Sequence, residues 1–64
     1  MRARVYDKIN DTYYISEVYG WLNFGGDRYI VGRQEQEGLV LIPETYNGTC
    51  IKALGMRWRV KEYE

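Results

Sequence analysis

The stretch MRWRVK at residues 56–61 alternates apolar and basic side chains without interruption. A period of two over six residues is typical of a β-strand with one buried face. Such a strand would present Met56, Trp58 and Val60 to a core and its three basic residues to water. The end of the chain therefore predicts a strand whose outer face is positively charged.

The opening residues repeat this pattern, because Ala3 and Val5 would point inward while Arg2 and Arg4 point outward. If the sheet curls so that the first and last strands pair, their basic side chains form one outward band flanked by two tyrosines. The predicted partner-binding residues of this basic band are Arg2, Arg4, Tyr6, Arg57, Arg59, Lys61 and Tyr63.

The charge balance of the chain limits what this band can attract. Nine basic and nine acidic residues give a formal net charge of zero, which does not indicate whole-protein attraction to nucleic acid or to an anionic membrane. Like charges that face each other across strands are destabilising. We therefore expect the band to be neutralised either by acids such as Glu17, Glu62 and Glu64 or by a protein partner with an acidic surface.

The middle of the chain predicts further short strands joined by turns. A second strand is expected over residues 12–18, continuing to Phe24 as one long strand in which Gly20 marks a bulge or sharp bend. A turn at residues 25–27, a third strand over 28–33, a polar loop over 34–38 and an apolar strand over 39–42 follow. The apolar run predicts burial on both faces, and Pro43 indicates that this strand ends or meets a sheet edge.

Residues 47–55 leave two interpretations open. Asn47-Gly48 is the strongest hairpin signal in the chain and predicts a returning strand over residues 50–54. The alternative is one helical turn over residues 49–54, capped by Thr49 and stopped by Gly55. The strand is favoured because six residues are too few for a secure helix.

Five or six short strands without a helix of normal length predict an all-β fold. The expected architecture is a small curled antiparallel sheet or a partly open barrel of the SH3-like or OB-like kind. A chain of 64 residues predicts a single domain, residues 1–64. Val5, Leu41, Trp58 and Val60 are expected to share its core.

The residues that usually carry catalysis or bind metals are scarce. There is no histidine, and Ser16, the only serine, sits in a strand pattern without a neighbouring base. Glu35 and Glu37 lie in a polar loop, where paired acids are usually solvated. Cys50 is alone, so neither an internal disulfide nor a thiolate zinc site can form. The sequence predicts no enzyme activity, no cofactor and no metal.

The apolar segments are too short for a signal peptide or a membrane span. Together with the lone Cys50, which suits a reducing compartment, this predicts a protein of the cytoplasm that does not contact a membrane.

The opening MRARVYDKINDTYY resembles the start of YopX-like phage and prophage proteins, which begin with a basic-aromatic strand, an Asp-Lys turn and a second strand. The matching positions are Arg2, Arg4, Tyr6, Asp7 and Lys8. The resemblance covers about the first fifth of the chain. It implies a small phage or prophage protein with a β-rich, partly SH3-like fold, and it assigns no functional residues.

Three classes of function fit the composition. The leading prediction is a non-enzymatic module, a phage or prophage accessory protein that docks on a host or phage protein, because Tyr, Trp and Arg are enriched at binding hot spots. A second is a single-stranded nucleic-acid binder in which Tyr6, Tyr63 or Trp21 stacks bases. A third is a homo-oligomer subunit that pairs through an edge strand near Pro43 or over residues 28–33.

Overall fold

The computed structural model describes residues 1–44 and 57–64, which form six strands in two antiparallel three-stranded sheets. The strands are β1 (Arg2–Asp7), β2 (Thr12–Glu17), β3 (Gly20–Phe24), β4 (Asp27–Gln34), β5 (Gly38–Pro43) and β6 (Trp58–Tyr63). The first sheet has the order β2-β1-β6 and the second has the order β3-β4-β5. The predicted all-β antiparallel fold is confirmed, with the sheets not closed into a barrel and no helix in the described part.

Strand β1 lies at the centre of the first sheet and pairs antiparallel with both β2 and β6. The expected pairing of the first and last strands is therefore confirmed. Ala3 and Val5 are fully buried, as their alternation predicted. The register with β6 shifts between Arg4 and Val5, which leaves Lys61 without a Cα partner in β1 and forms a β-bulge there.

The predicted long strand over residues 12–24 is wrong, because the chain changes sheets in its middle. The Val18 amide donates to the Met1 carbonyl at 2.8 Å, whereas the next amide, of Tyr19, donates to the Val31 carbonyl at 2.9 Å. Consecutive residues thus bond to different sheets. Gly20 is the first residue of β3, so the sequence located the bend but did not reveal that it separates two strands.

Glycines shape the two hairpin turns of the second sheet. Gly25 and Gly26, with φ of 60° and 82°, join β3 to β4. Two consecutive positive φ angles are the mark of a type I′ turn, which confirms the predicted turn. The predicted loop over residues 34–38 is shorter and spans residues 35–37, followed by Gly38 with φ of 78°.

Strand β4, which covers the predicted strand 28–33, lies at the centre of the second sheet. Both of its edges are paired with neighbouring strands, so the idea that residues 28–33 form an edge for oligomer pairing is wrong. Strand β5 is an edge strand and ends at Pro43. The interpretation of Pro43 as the end of a strand at a sheet edge is confirmed.

The apolar run of β5 is buried on one face only. Leu39 is 64% exposed and Leu41 is 42% exposed, whereas Ile42 is fully buried. The prediction of burial on both faces is wrong, because the second sheet packs on the first through one face and side chains alternate along the strand. Leu41 is accordingly not part of the core.

The core is built where the inner faces of the two sheets meet. Its buried residues are Ala3, Val5, Ile30, Ile42, Trp58 and Val60. The predicted places of Val5, Trp58 and Val60 are confirmed, and Ile42 occupies the position expected of Leu41. Met56, Gly55 and the two interpretations of residues 47–54 lie outside the described residues.

Gly32 allows the two sheets to approach closely. A Cβ added at Gly32 would lie 2.7 Å from Ile42 Cδ1 and 2.9 Å from Ser16 Oγ, too near for either atom to remain in place. Ser16 is buried at this contact, where its hydroxyl accepts a hydrogen bond from the Arg33 amide at 2.8 Å and donates one to the Glu17 carbonyl at 2.8 Å. The only serine of the chain therefore joins β2 to β4.

Gly32→Ala should destabilise the fold by about 1–3 kcal/mol, since the added methyl group must displace Ile42 or Ser16. Gly20→Ala is the matched control, because a Cβ at that position meets nothing within 4 Å. Urea unfolding of the two variants measures the difference. Equal midpoints for the two variants would contradict the close approach of the sheets.

Trp58→Ala should cost about 3–5 kcal/mol, which is comparable with the ~3–5 kcal/mol that the core of so small a domain supplies. Leu41→Ala, at the exposed apolar position, should cost much less. Thermal unfolding followed by circular dichroism gives both values. A Trp58→Ala protein that melts at the wild-type temperature would show that this core is wrongly assigned.

Candidate functional site

The outer face of the first sheet carries a group of exposed and half-buried arginine, tyrosine and isoleucine side chains. Directly opposed Cα partners place Arg4 beside Ile15 and Tyr6 between Tyr13 and Arg59. We call this surface the arginine–tyrosine face. It consists of Arg2, Arg4, Tyr6, Tyr13, Ile15 and Arg59.

The side chains at the centre of this face stack on one another. The Arg4 guanidinium carbon lies 4.2 Å from the centroid of the Tyr13 ring. The Tyr13 and Tyr6 centroids are 5.1 Å apart at 46°, and the Arg59 guanidinium carbon lies 5.4 Å from the Tyr6 centroid. Cation–π contacts at exposed sites contribute about 0.5–1 kcal/mol each. The four side chains thus form one continuous row across three strands.

Two of the three acids expected to neutralise the basic band form ion pairs with its arginines. Arg2 pairs with Glu64 at 2.9 Å and Arg4 pairs with Glu62 at 3.2 Å, while Glu17 is the Cα partner of Arg2 on the other side. Both ion pairs are largely solvent-exposed. Such pairs contribute little to stability, so their acids can be exchanged for other anions at small cost.

Arg57 does not belong to the outward band, which corrects the prediction. Its guanidinium forms a two-point contact with the buried Asp7 carboxylate, Nε to Oδ1 at 3.0 Å and Nη2 to Oδ2 at 2.8 Å. Arg57 precedes the first residue of β6, and its carbonyl accepts a hydrogen bond from the Lys8 amide. Strand alternation therefore does not fix the direction of its side chain.

The same Asp7 carboxylate organises the turn between β1 and β2. It accepts hydrogen bonds from the Ile9 amide at 3.0 Å and from the Asn10 side-chain amide at 3.2 Å. The bond from Arg57 is the largest cause that lowers the pKa of Asp7 to about 2, and the turn amides lower it further. The pKa of Arg57 is raised by the same contact. Asp7 and Arg57 form a structural pair.

Tyr63 faces the second sheet and does not flank the basic band, which is a second correction. It packs against the core, its hydroxyl accepts a hydrogen bond from Trp21 Nε1 at 3.2 Å, and it donates one to Glu44. Glu44 in turn pairs with Arg28 at 3.1 Å. Burial is the largest cause that raises the pKa of the Tyr63 phenol. Tyr63 therefore ties β6 to the second sheet.

The remaining predicted residues divide between the face and the bulge. Arg2, Arg4, Tyr6 and Arg59 lie on the arginine–tyrosine face, and Lys61 is exposed in the β6 bulge. Tyr6 is held by a hydrogen bond from its hydroxyl to Asp11 at 2.8 Å, the largest cause that raises its pKa.

Tyr13 and Ile15 are the residues of this face that the prediction missed, and they are 46% and 45% exposed. The alternation in residues 12–18 correctly put them together on one face, opposite Tyr14, Ser16 and Val18. Both sets contain apolar side chains, so the pattern does not reveal which set faces the core. In the structure Ile15 is paired with Arg4 and Tyr13 with Tyr6, so Tyr13 and Ile15 lie on the outer face of the sheet.

Within residues 1–44 and 57–64, no group of three or more Cys, Asp or Glu side chains is placed to hold a metal ion. The same residues include no helix of the length and apolar character needed to cross a membrane.

Comparison with known proteins gives no match to any family model, curated protein or solved structure. The resemblance of the opening residues to YopX-like proteins stays a prediction.

The Asp7–Arg57 pair predicts a specific dependence of stability on pH. The folded-state pKa of Asp7, about 2, is below its ordinary value of 3.8. The pair therefore stabilises the fold fully above about pH 4, and this contribution is lost as the pH falls toward 2. Asp7→Asn should lower the melting temperature at pH 7. Between pH 7 and pH 2 the melting temperature of this variant should then fall less than that of the wild type, because the variant has no carboxylate at this position to protonate.

Melting temperatures measured between pH 7 and pH 2 test this dependence, with the exposed carboxylate variant Glu17→Gln as control. Parallel curves for the wild type and Asp7→Asn would contradict the role of Asp7.

Proposed function

We propose that this protein is a non-enzymatic protein-binding module that contacts its partner through the arginine–tyrosine face. The observation that carries the proposal is the exposure of Tyr13 and Ile15 beside Arg4, which stacks on Tyr13 at 4.2 Å. Tyrosine and arginine dominate binding hot spots because they combine apolar area with hydrogen-bonding and charged groups. A sheet surface of this composition suits contact with another protein.

The stacked row reduces the entropic cost of binding. Tyr6 is already fixed by its bond to Asp11, and Tyr13 is held between Tyr6 and Arg4. Ordering a free, rotamer-rich side chain at an interface costs roughly 0.5–1.5 kcal/mol. Side chains that are ordered before binding avoid part of this cost.

The partner proposed is a protein with an acidic surface. Its carboxylates would replace Glu64 and Glu62 as counter-ions of Arg2 and Arg4, an exchange that costs little because both ion pairs are exposed. Arg59 would add a third positive charge beside Tyr6. Charges at the rim of an interface mainly accelerate association and suppress wrong partners.

The resemblance to YopX-like proteins adds a setting to this proposal. In that setting the protein is a phage or prophage accessory factor of the cytoplasm, and its partner is a host or phage protein.

The proposal is tested by affinity capture from a host lysate with the wild type and with Arg4→Gln and Tyr13→Ser variants. Both positions are exposed enough that the fold should be nearly unchanged. We expect both variants to lose the captured protein. Association of the purified pair should be slower for Arg4→Gln and less dependent on salt, because screening over about 8 Å at physiological ionic strength acts on that charge.

Lys8→Gln removes one positive charge from the exposed β1–β2 turn and serves as the matched control. Normal capture by Arg4→Gln and Tyr13→Ser would contradict the proposal. If only nucleic acid were recovered, and nuclease treatment abolished the signal, the result would instead favour a single-stranded nucleic-acid binder whose aromatic side chains stack on bases. A mass above the 7.6 kDa of one chain in light scattering, without a captured partner, would favour a homo-oligomer.

A further inference from the structure

The four edge strands of the two described sheets are not equally protected against pairing with another chain. Strand β5 ends in a proline, β6 contains a bulge with Lys61, and β3 has only five residues. Prolines, bulges, lysines and short strands are the usual devices that prevent strand addition. Strand β2, with the sequence TYYISE, has none of them.

Within the part of the chain that the structure describes, hydrogen bonding along β2 leaves one row of backbone groups without a strand partner. The Val18 amide donates to the Met1 carbonyl, so Met1 opposes Val18 in a hydrogen-bonded pair. Because such pairs alternate in an antiparallel ladder, the amides of Tyr14 and Ser16 also face β1. The amides of Tyr13 and Ile15 therefore point away from β1, where no other strand of the described sheets lies.

A groove runs beside this edge. Two cavities of about 450 Å³ and 220 Å³ share Tyr14 and Glu35 as lining residues. One wall of the groove is formed by β2 and Tyr19, and the opposite wall by the end of β4 and the following turn. We call this the β2 groove. Besides the buried Ser16, its larger cavity is lined by Tyr14, Ile15, Glu17, Tyr19, Arg33 and Glu35.

The β2 groove is acidic and offers polar groups to a ligand. Within the described residues neither Glu17 nor Glu35 forms an ion pair, and Arg33 provides a single positive charge. The Tyr14 hydroxyl is buried without a hydrogen-bond partner there. A buried hydroxyl of this kind gains free energy when a ligand group satisfies it.

A second copy of the chain is a poorer fit to this groove than a basic peptide. Its own β2 would bring Glu17 as the only charged side chain, with the same sign as the carboxylates already there. A segment that carries lysine or arginine complements Glu17 and Glu35. Charge complementarity of this kind selects between partners of similar shape.

We propose that the β2 groove binds an extended basic peptide segment of a partner protein, which adds as a further strand to β2 and places a lysine or arginine side chain near Glu17 and Glu35. Strand addition supplies backbone hydrogen bonds, and the groove supplies specificity. The inference rests on the proposed function and deepens it. The added strand would continue the arginine–tyrosine face, since Tyr13 and Ile15 belong to the same strand.

The test uses two synthetic peptides, acetyl-Thr-Val-Lys-Val-Lys-Val-Thr-amide and the same peptide with Glu in place of both Lys. Each is titrated into the ¹⁵N-labelled protein while backbone amide shifts are followed. The Lys peptide should shift the amides of Tyr13, Ile15 and Glu17. The Glu peptide should bind about tenfold or more weakly, a difference of ~1.4 kcal/mol.

Two variants separate charge from strand addition. Glu17→Lys combined with Glu35→Lys should reverse the preference between the peptides, and both positions are exposed, so the fold should persist. Ile15→Pro removes the backbone N–H that points away from β1, and it removes no hydrogen bond to β1. This variant should not bind the Lys peptide. If Ile15→Pro does not fold, the charge-reversal variant still decides.

Equal binding of both peptides, shifts confined to Arg4 and Tyr6, or dimerisation of the chain through β2 would each overturn the inference. Failure of the proposed function is a different outcome, in which Arg4→Gln and Tyr13→Ser both capture the partner normally. If the captured partner is lost with Tyr13→Ser but bound normally by the charge-reversal variant, the inference fails and the proposed function stands.

Discussion

The close contact of Gly32 with Ser16 and Ile42 is the constraint on which the arrangement of the two sheets depends. Because Gly32 has no side chain, Ile42 can reach into the core and the Ser16 hydroxyl can accept the Arg33 amide. This bond joins β2 to β4 directly. A second link, in which Trp21 donates to Tyr63 and Tyr63 to Glu44, joins β6 to the second sheet. The two links fix the inner faces against each other over the small core.

Among residues 1–44 and 57–64, this arrangement leaves the first sheet with two surfaces that the packing of the two sheets does not use. Its inner face is occupied by the core, and Arg57 and Tyr63 are taken up by Asp7 and Glu44 in structural contacts. Its outer face keeps Tyr13 exposed beside Arg4, and the free edge of β2 opens into a groove. Both surfaces meet at β2, so a single partner can contact them together.

The strand pattern of the sequence predicted the part of the fold that depends on local alternation. Trp58 and Val60 are buried, and the first and last strands pair as expected. The individual hydrogen bonds between residues distant in sequence could not be predicted. The split between β2 and β3 arises because the Tyr19 amide bonds to Val31, and the inward turn of Arg57 arises because a buried carboxylate lies nearby. The unbroken apolar run at residues 39–42 likewise does not reveal which face of the strand meets the core.

Hydrogen exchange along β2 of the isolated chain tests most directly the claim that this strand pairs on one side and is open on the other. The account predicts slow exchange for the amides of Tyr14 and Ser16, which bond to β1, and fast exchange for those of Tyr13 and Ile15. Slow exchange at all four amides would show that the edge is already covered, and would contradict both the open edge and the partner surface built on it.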